Sequence, residues 1–349
     1  MVKMLRDVII RTLRLARRGT KPYINYLLSF HELGSLPTKP KSMPSVIYLE
    51  PIRACNLRCP MCLRQWRRMK DGLMKLEDFA YIVNTIHEYA LGISFAGWGE
   101  WFLHKDFPSM LKMLDERNMP CDFITNATLL NVSALDFILK PGNLIVKIGI
   151  SMDSPTTGSI RNYLDLNKVI ENIKHLSIIK RSRHLILPLI RFRVTLMKIN
   201  AGEITDIIRI AKSIGIDRID IIPVMAWNSK HYNSPYGPLS LQDLTKIQRQ
   251  VLKMSQNVGV GVRFPLPSST KSNSVCTVPW RSIFISWNGD VHPCCFYLDK
   301  ALGNIFEESL QRIWRGKKYS DFRLELLKGE DKFCNNCMKG EFHRNEIGV

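Results

Sequence analysis

From residue 46 onward, short apolar runs alternate with longer stretches in which apolar residues recur every three or four positions. The runs 46–52 (VIYLEPI), 93–97 (ISFAG), 121–127 (CDFITNA), 144–151 (LIVKIGIS), 185–196 and 218–224 (RIDIIPV) predict six buried strands. The stretches 75–90, 107–118, 131–140, 166–182, 202–215 and 241–259 predict the amphipathic helices that follow them. Apolar strands separated by helices imply an α/β fold with a parallel sheet covered by helices. Six such units point to a partial (β/α)6 parallel barrel in preference to an open sheet.

The rhythm fails at both ends. In residues 1–20 a helical projection puts Leu5, Val8, Ile9, Leu13 and Ala16 on one side and Arg6, Arg11, Arg14, Arg17 and Arg18 on the other. Such a helix suits either an anionic membrane surface or docking on the protein's own core. The stretch 33–44 (LGSLPTKPKSMP) reads as a proline-rich linker, and 263–274 as a second one. Beyond the second linker Trp, Gly, Asn and Cys become frequent and the strand–helix rhythm stops. The expected organisation is a basic helix and linker (1–44), a partial barrel (45–262) and a small cysteine-rich domain (275–349).

Composition narrows the setting. A hydrophobic fraction of 45% and a charged fraction of 23% are ordinary for a soluble globular chain. No apolar run reaches the roughly 18 residues needed to span a bilayer, and the first residues lack the features of a secretory signal. The expected location is cytoplasmic, either free or peripheral at the inner membrane face. The net charge of +19 favours anionic partners, namely phosphorylated substrates, nucleic acid or an anionic membrane; a solvated basic surface explains it equally well. No RNA-binding module is recognisable, so nucleic acid is not an expected partner.

The cysteines add the chemistry. Nine are present, and eight fall in two groups, which in a reducing compartment points to metal. Cys121 stands alone in an apolar run and reads as an inert core residue. The first group, CNLRCPMC (55–62), packs Cys55, Cys59 and Cys62 into one loop after the first predicted strand. Loops at that end of a parallel sheet carry active sites. A disulfide uses two thiols and a closed zinc site four. Three can wrap a four-iron cubane and leave one iron open to a small ligand.

The Cys-x3-Cys-x2-Cys loop resembles that of the radical S-adenosylmethionine (SAM) superfamily, and further pieces over about 45–225 resemble it in order. Gly97-Trp98-Gly99-Glu100 stands where that family has the strand end whose carbonyls receive the SAM amino group. TNAT (125–128), with Asn126, resembles its Thr-Asn-Gly-Thr, and SMDS (151–154), with Ser151 and Asp153, its Ser-x-Asp near the SAM ribose and carboxylate. Met61 fills the position that packs near adenine. Arg161 and Arg193 are candidates either for the SAM carboxylate or for structural ion pairs. Trp101 replaces the usual proline after the glutamate. The resemblance implies an open iron that chelates SAM and an external one-electron donor such as ferredoxin or flavodoxin. Reductive cleavage of SAM then yields a 5′-deoxyadenosyl radical, which abstracts hydrogen from an unactivated C–H.

The second group comprises Cys276, Cys294, Cys295, Cys334 and Cys337. Taken alone, its paired cysteines fit zinc as well as iron–sulfur. The flanking WNGDVHPCC, LGNIFEESLQRIW and CNNC resemble a SPASM-type extension. That resemblance implies one auxiliary 4Fe–4S cluster on Cys276, Cys294, Cys334 and Cys337, with Cys295 a buried thiol, a further ligand or a hydrogen donor. The basic stretch Arg58–Lys70 and the aromatic loop 225–238 are candidate substrate-facing segments. His104 and His292 read as structural. The basic amino-terminal helix suggests a lipid or sugar head group as substrate; the alternatives are a peptide maturase and an RNA-modifying enzyme.

Overall fold

The computed structural model describes residues 9, 12–140, 142–156, 160–161, 165–226, 228–265, 275–335 and 337. Its strands are β1 (Val46–Leu49), β2 (Gly92–Phe95), β3 (Cys121–Thr125), β4 (Ile145–Ser151), β5 (Leu189–Leu196), β6 (Arg218–Pro223), β7 (Gly261–Arg263), β8 (Ser282–Ile285), β9 (Asp290–His292) and β10 (Gly303–Asn304). The first six match the predicted strands, with shorter bounds where proline intervenes. β1 stops before Pro51 and β5 begins after Pro188, because proline brings no N–H to a ladder. Each is followed by its amphipathic helix, up to Leu241–Val258 after β6.

The chain divides into two compact units. One contains Cys55–Lys70 and Phe123–Ser269. Here β5, β6 and β7 each pair in parallel with the strand before it, beginning from β4. On β5 the residues alternate, with Ile190, Phe192, Val194 and Leu196 buried and Arg191, Arg193 and Thr195 only half-buried. The helix Ile204–Ile214 supplies Ile207, Ile208 and Ala211 to the core and ends on Gly215 in the left-handed conformation.

The other unit contains Ile9–Ala54, Asp71–Asp122 and Thr270–Val349. β1 lies parallel to both β2 and β8, and β8, β9 and β10 form an antiparallel run. All four residues of β8 are buried, as a strand covered on both faces requires. The cysteine-rich segment thus begins by extending the β1–β2 sheet.

The segment 33–44 differs from a free linker. The indoles of Trp280 and Trp314 donate to the carbonyls of Pro37 (2.7 Å) and Ser42 (2.8 Å), and Arg315 Nε donates to Pro40 O (3.0 Å). Arg323, fully buried, donates to the carbonyls of Thr38, Pro279 and Trp314 and lies over the rings of Trp314 (4.1 Å) and Tyr319 (4.2 Å). The segment is a run of turns and bends with no strand ladder of its own, and distant side chains take up its carbonyls.

Half of the amino-terminal helix expected within 1–20 lies outside the described residues (1–8, 10 and 11); residues 12–16 are helical. The basic face is partly consumed by the protein. Arg14 pairs with Asp115 at 2.6 Å, and Arg18 donates to the carbonyls of His87, Ala90 and Leu91 where the helix Leu76–Ile86 ends. A cation at a helix carboxyl terminus is favourably placed, although burial lowers the Arg18 pKa.

Candidate active site

The loop of the first cysteine group is wound by its own backbone. Leu57 N–H points at Cys55 Sγ (3.4 Å), Cys62 N–H donates to Cys59 O (3.0 Å), and Cys62 begins the short helix Leu63–Trp66. Trp66 Nε1 donates back to Pro60 O at 2.6 Å. The apolar alternation Leu57–Cys59–Met61 packs into a buried cluster with Ile160, Met197 and Val224, with Cys55, Cys62 and Tyr236 against it. All three thiols are free of disulfides.

Their electrostatics suit a positively charged guest. Burial pushes the Cys59 thiol up, opposed chiefly by the Arg161 guanidinium. Burial also pushes Cys62 up to about 11, and the neighbouring thiols add to the shift. Buried thiols of this kind ionise when metal supplies the compensating charge. The donor set therefore fits an iron–sulfur cluster.

Two other residues of this unit, Asn126 and Arg161, meet the loop, and Asp153 reaches it through Arg161. Asn126, at the end of β3, donates to Asn56 Oδ1 (2.9 Å) and reaches Cys55 Sγ (4.0 Å); its own oxygen accepts from Thr128 N–H (3.0 Å). Between them Ala127 takes φ +60°, a left-handed value that explains a glycine preference at this point of the motif. Asp153, after β4, is fully buried. One of its oxygens accepts from Arg161 Nη2 (2.6 Å) and the other from Thr195 N–H (2.7 Å). Arg161 Nη1 also points at Cys59 Sγ, 3.7 Å away. Asp153 thus holds the arginine, and the arginine faces the thiol.

Arg193 is engaged differently. It stands opposite Ser151 and Asp220 in the strand register, and its Nη1 is 3.6 Å from Asp220 Oδ2. Arg191 (2.7 Å) and Arg218 (3.0 Å) share the same buried carboxylate. The aromatic loop 225–238 contains the short helix Ser229–Asn233, places His231 against Trp66 (ring centroids 4.8 Å) and sets Tyr236 on the cysteine loop. It supports that loop, a role that only a tertiary contact reveals.

In the second unit, Gly97-Trp98-Gly99-Glu100 follows β2. Gly97 has φ +139°, and a Cβ at Gly99 would stand 2.0 Å from the Ile52 carbonyl oxygen, so both positions require glycine. Trp98 N–H donates to the buried carboxylate of Glu50 (2.9 Å), which also binds Arg53 at 2.5 Å. Glu100 N–H donates to Ala54 O (2.9 Å), and Trp101 fills a core position beside Phe95 (6.3 Å). His104 is structural: its Nδ1 accepts from Asp106 N–H (3.1 Å), so Nε2 carries the proton and donates to Met74 O (2.9 Å).

The Trp98 indole donates to Cys295 O (3.3 Å) and its ring meets Phe296 edge-on (5.7 Å). This joins the glycine motif to the second cysteine group. Burial pushes the Cys294 thiol up, reinforced by Cys295, Cys276 and Cys337. Cys334 is raised by burial, then by Asp331, Cys294 and Cys276. Asp331 accepts the Cys334 N–H at 2.7 Å and fixes that cysteine at the head of its turn. Cys276 and Cys337 thus lie within electrostatic reach of Cys294, and Cys276 and Cys294 within reach of Cys334; the buried thiols of Cys294 and Cys334 are again raised and suited to metal.

Comparison with known proteins agrees with both cysteine groups. The radical SAM superfamily model matches residues 49–231, and the SPASM iron–sulfur cluster-binding domain matches residues 276–338. A tungsten-containing aldehyde ferredoxin oxidoreductase cofactor-modifying protein from Pyrococcus furiosus is 26% identical over 83% of this chain and 86% of its own. The antilisterial bacteriocin subtilosin biosynthesis protein AlbA of Bacillus subtilis is 23% identical over 91% of this chain and 74% of its own. Among solved structures, Streptococcus suis SuiB bound to S-adenosylmethionine superposes with TM-score 0.68 at 16% identity, over 87% of this chain and 75% of that one. For anSMEcpe with bound AdoMet the TM-score is 0.65 at 20% identity, over 84% and 89%. The mostly parallel α/β sheet is accordingly that of a partial barrel with a C-terminal SPASM domain, and the two domains imply a SAM-linked 4Fe–4S cluster and auxiliary iron–sulfur. With half of its length matched by that model, the chain belongs to the radical SAM superfamily and is an enzyme.

Proposed function

We propose that this enzyme abstracts hydrogen from an unactivated C–H of a peptide substrate, using Cys55, Cys59 and Cys62 to hold the SAM-linked cluster. When bound, that cluster and SAM supply one-electron cleavage of SAM and a hydrogen-abstracting radical, with the electron drawn from an external donor such as ferredoxin or flavodoxin. The residues of this chain bind and orient. In the unit of the cysteine loop, Met61 and Asn126 are the residues assigned to SAM and Asp153 fixes Arg161 toward Cys59; in the other unit, Gly97, Gly99 and Glu100 form the strand end assigned to it. Ser151 lines the end of β4. Arg193 shares Asp220 with two other arginines, so its contribution is an ion pair more than a SAM contact. Cys276, Cys294, Cys334 and Cys337 hold the auxiliary cluster.

The observation that carries the peptide reading is the likeness to AlbA along 91% of this chain, the name of which states bacteriocin biosynthesis. SuiB bound to its precursor peptide shares the fold, at TM-score 0.66. A lipid or sugar head group, the first expectation from the basic amino terminus, has less support. A second reading, modification of a cofactor, is favoured by the name of the Pyrococcus furiosus relative.

The test is anaerobic reconstitution followed by SAM, dithionite and candidate substrates that carry deuterium. The peptide reading expects 5′-deoxyadenosine that contains deuterium from a peptide, and a peptide that has lost hydrogen by mass. Deuterium transfer only from a lipid, sugar or free cofactor would refute it.

A further inference from the structure

The helix Lys21–Glu32 is inside out. Three of its polar side chains, Asn25, Ser29 and Glu32, face the protein: Asn25 donates to Met43 O (2.9 Å) and Tyr89 O (3.0 Å), and Ser29 Oγ meets Ser45 Oγ (2.9 Å). Glu32, 7% exposed, accepts from Lys41 N–H (2.6 Å) and from Ser42 Oγ (2.5 Å). Its apolar side chains face out, with Tyr23 43%, Ile24 60%, Leu27 65% and Phe30 61% exposed. At 3.6 residues per turn these four fall within an arc of about 120°, the width of a stripe that normally packs against something. Leu13, upstream, is 58% exposed as well, while Arg14 and Arg18 bind the body of the protein.

A contiguous apolar face of this kind marks an interaction surface, and the surrounding charge selects its occupant. Between residues 9 and 44 the only acidic residue is Glu32, which is buried, whereas Arg17, Lys39 and Lys41 are exposed; Lys21, also exposed, pairs with Glu88 at 3.1 Å. A second copy of the same face would bring two basic segments together, which like charges oppose. An anionic bilayer satisfies both features: the stripe enters the acyl boundary and the cations meet lipid head groups. We propose that the Lys21–Glu32 helix, through Tyr23, Ile24, Leu27 and Phe30, seats this enzyme on an anionic lipid surface. The contact is peripheral, since no helix among the described residues is long and apolar enough to cross a membrane. It is independent of the substrate reading.

The experiment uses the full chain and sedimentation with vesicles of phosphatidylcholine alone or mixed with phosphatidylglycerol. Wild type is expected to sediment with the anionic vesicles, and Ile24→Ser/Leu27→Ser/Phe30→Ser to bind them at least about tenfold more weakly. Because all three side chains are exposed, the variant should keep the wild-type melting temperature and its 5′-deoxyadenosine formation. Arg17→Glu should weaken binding at low salt and have little effect at high salt. The proposal is overturned by any of three results: equal binding of neutral and anionic vesicles, binding unchanged in the triple variant, or a wild-type self-association that the triple variant abolishes.

Discussion

Removing the Arg161 guanidinium tests the arrangement around the first cysteine loop. Asp153 is fully buried and has two partners, Arg161 Nη2 at 2.6 Å and the Thr195 N–H at 2.7 Å. In Arg161→Met the second bond survives, and the carboxylate loses its compensating charge. Two unit charges about 4 Å apart interact by about 4 kcal/mol at the effective dielectric of a protein site. Breaking a buried pair from one side costs about 3–5 kcal/mol in practice. Against a typical total of 5–15 kcal/mol, that is a large share. Urea unfolding of the cluster-free protein, with thiols kept reduced, should show the loss directly. Asp153→Asn/Arg161→Met, which removes both charges, should recover more than about 1 kcal/mol of it. Cys59 gives a second readout. Burial pushes that thiol up and Arg161 opposes the shift, so Arg161→Met should leave the thiol harder to ionise and slow iron uptake by the loop. The reasoning is refuted if Arg161→Met unfolds within 1 kcal/mol of wild type, or if the double variant is no more stable than the single one.

Two further outcomes follow from the geometry. In Gly99→Ala the new Cβ would stand 2.0 Å from the Ile52 carbonyl oxygen, so backbone must move; a loss of about 1–3 kcal/mol or more is expected by thermal melting, with weakened SAM binding by calorimetry. His231 is buried against Trp66 and its pKa is lowered, first by burial. A base with a depressed folded-state pKa contributes stability above its unfolded value, about 6.5, and loses it as pH falls through the folded one. Stability measured from pH 7 downward should therefore decline less steeply in His231→Gln than in wild type.

The local patterns account for much of what is seen. Period-two and period-3.6 apolar spacing foretold β1 to β6 and their helices, because burial of one face imposes those periods wherever an element packs. The tight spacing of Cys55, Cys59 and Cys62 pointed to a cluster-binding loop, and the radical SAM family match covers those residues. Gly97 and Gly99 were legible only through the motif they resemble; that a Cβ at Gly99 would meet the Ile52 carbonyl is a tertiary contact. Other features depend on partners far away in the chain. The 33–44 segment reads as a linker because prolines punctuate it, yet Trp280, Trp314 and Arg323 bind its carbonyls. The 225–238 loop reads as substrate-facing, and only the fold adds that its His231 lies against Trp66 and its Tyr236 against the cluster that includes Leu57, Cys59 and Met61.

The division has one physical cause. The amino-acid order by itself determined the periodicity of the strands and helices and the spacing of the thiols along the chain, since each is written in the residues themselves. Orientation was decided by the tertiary structure. A helix with an apolar and a polar face can turn either way, and Lys21–Glu32 turns its polar face inward because Met43, Ser45 and Tyr89 offer it hydrogen bonds. Arg161 and Arg193 were equal candidates on the page of letters. Folding assigned one to Asp153 and Cys59 and the other to Asp220, because an arginine buried in a fold is held by whichever carboxylate the topology brings to it.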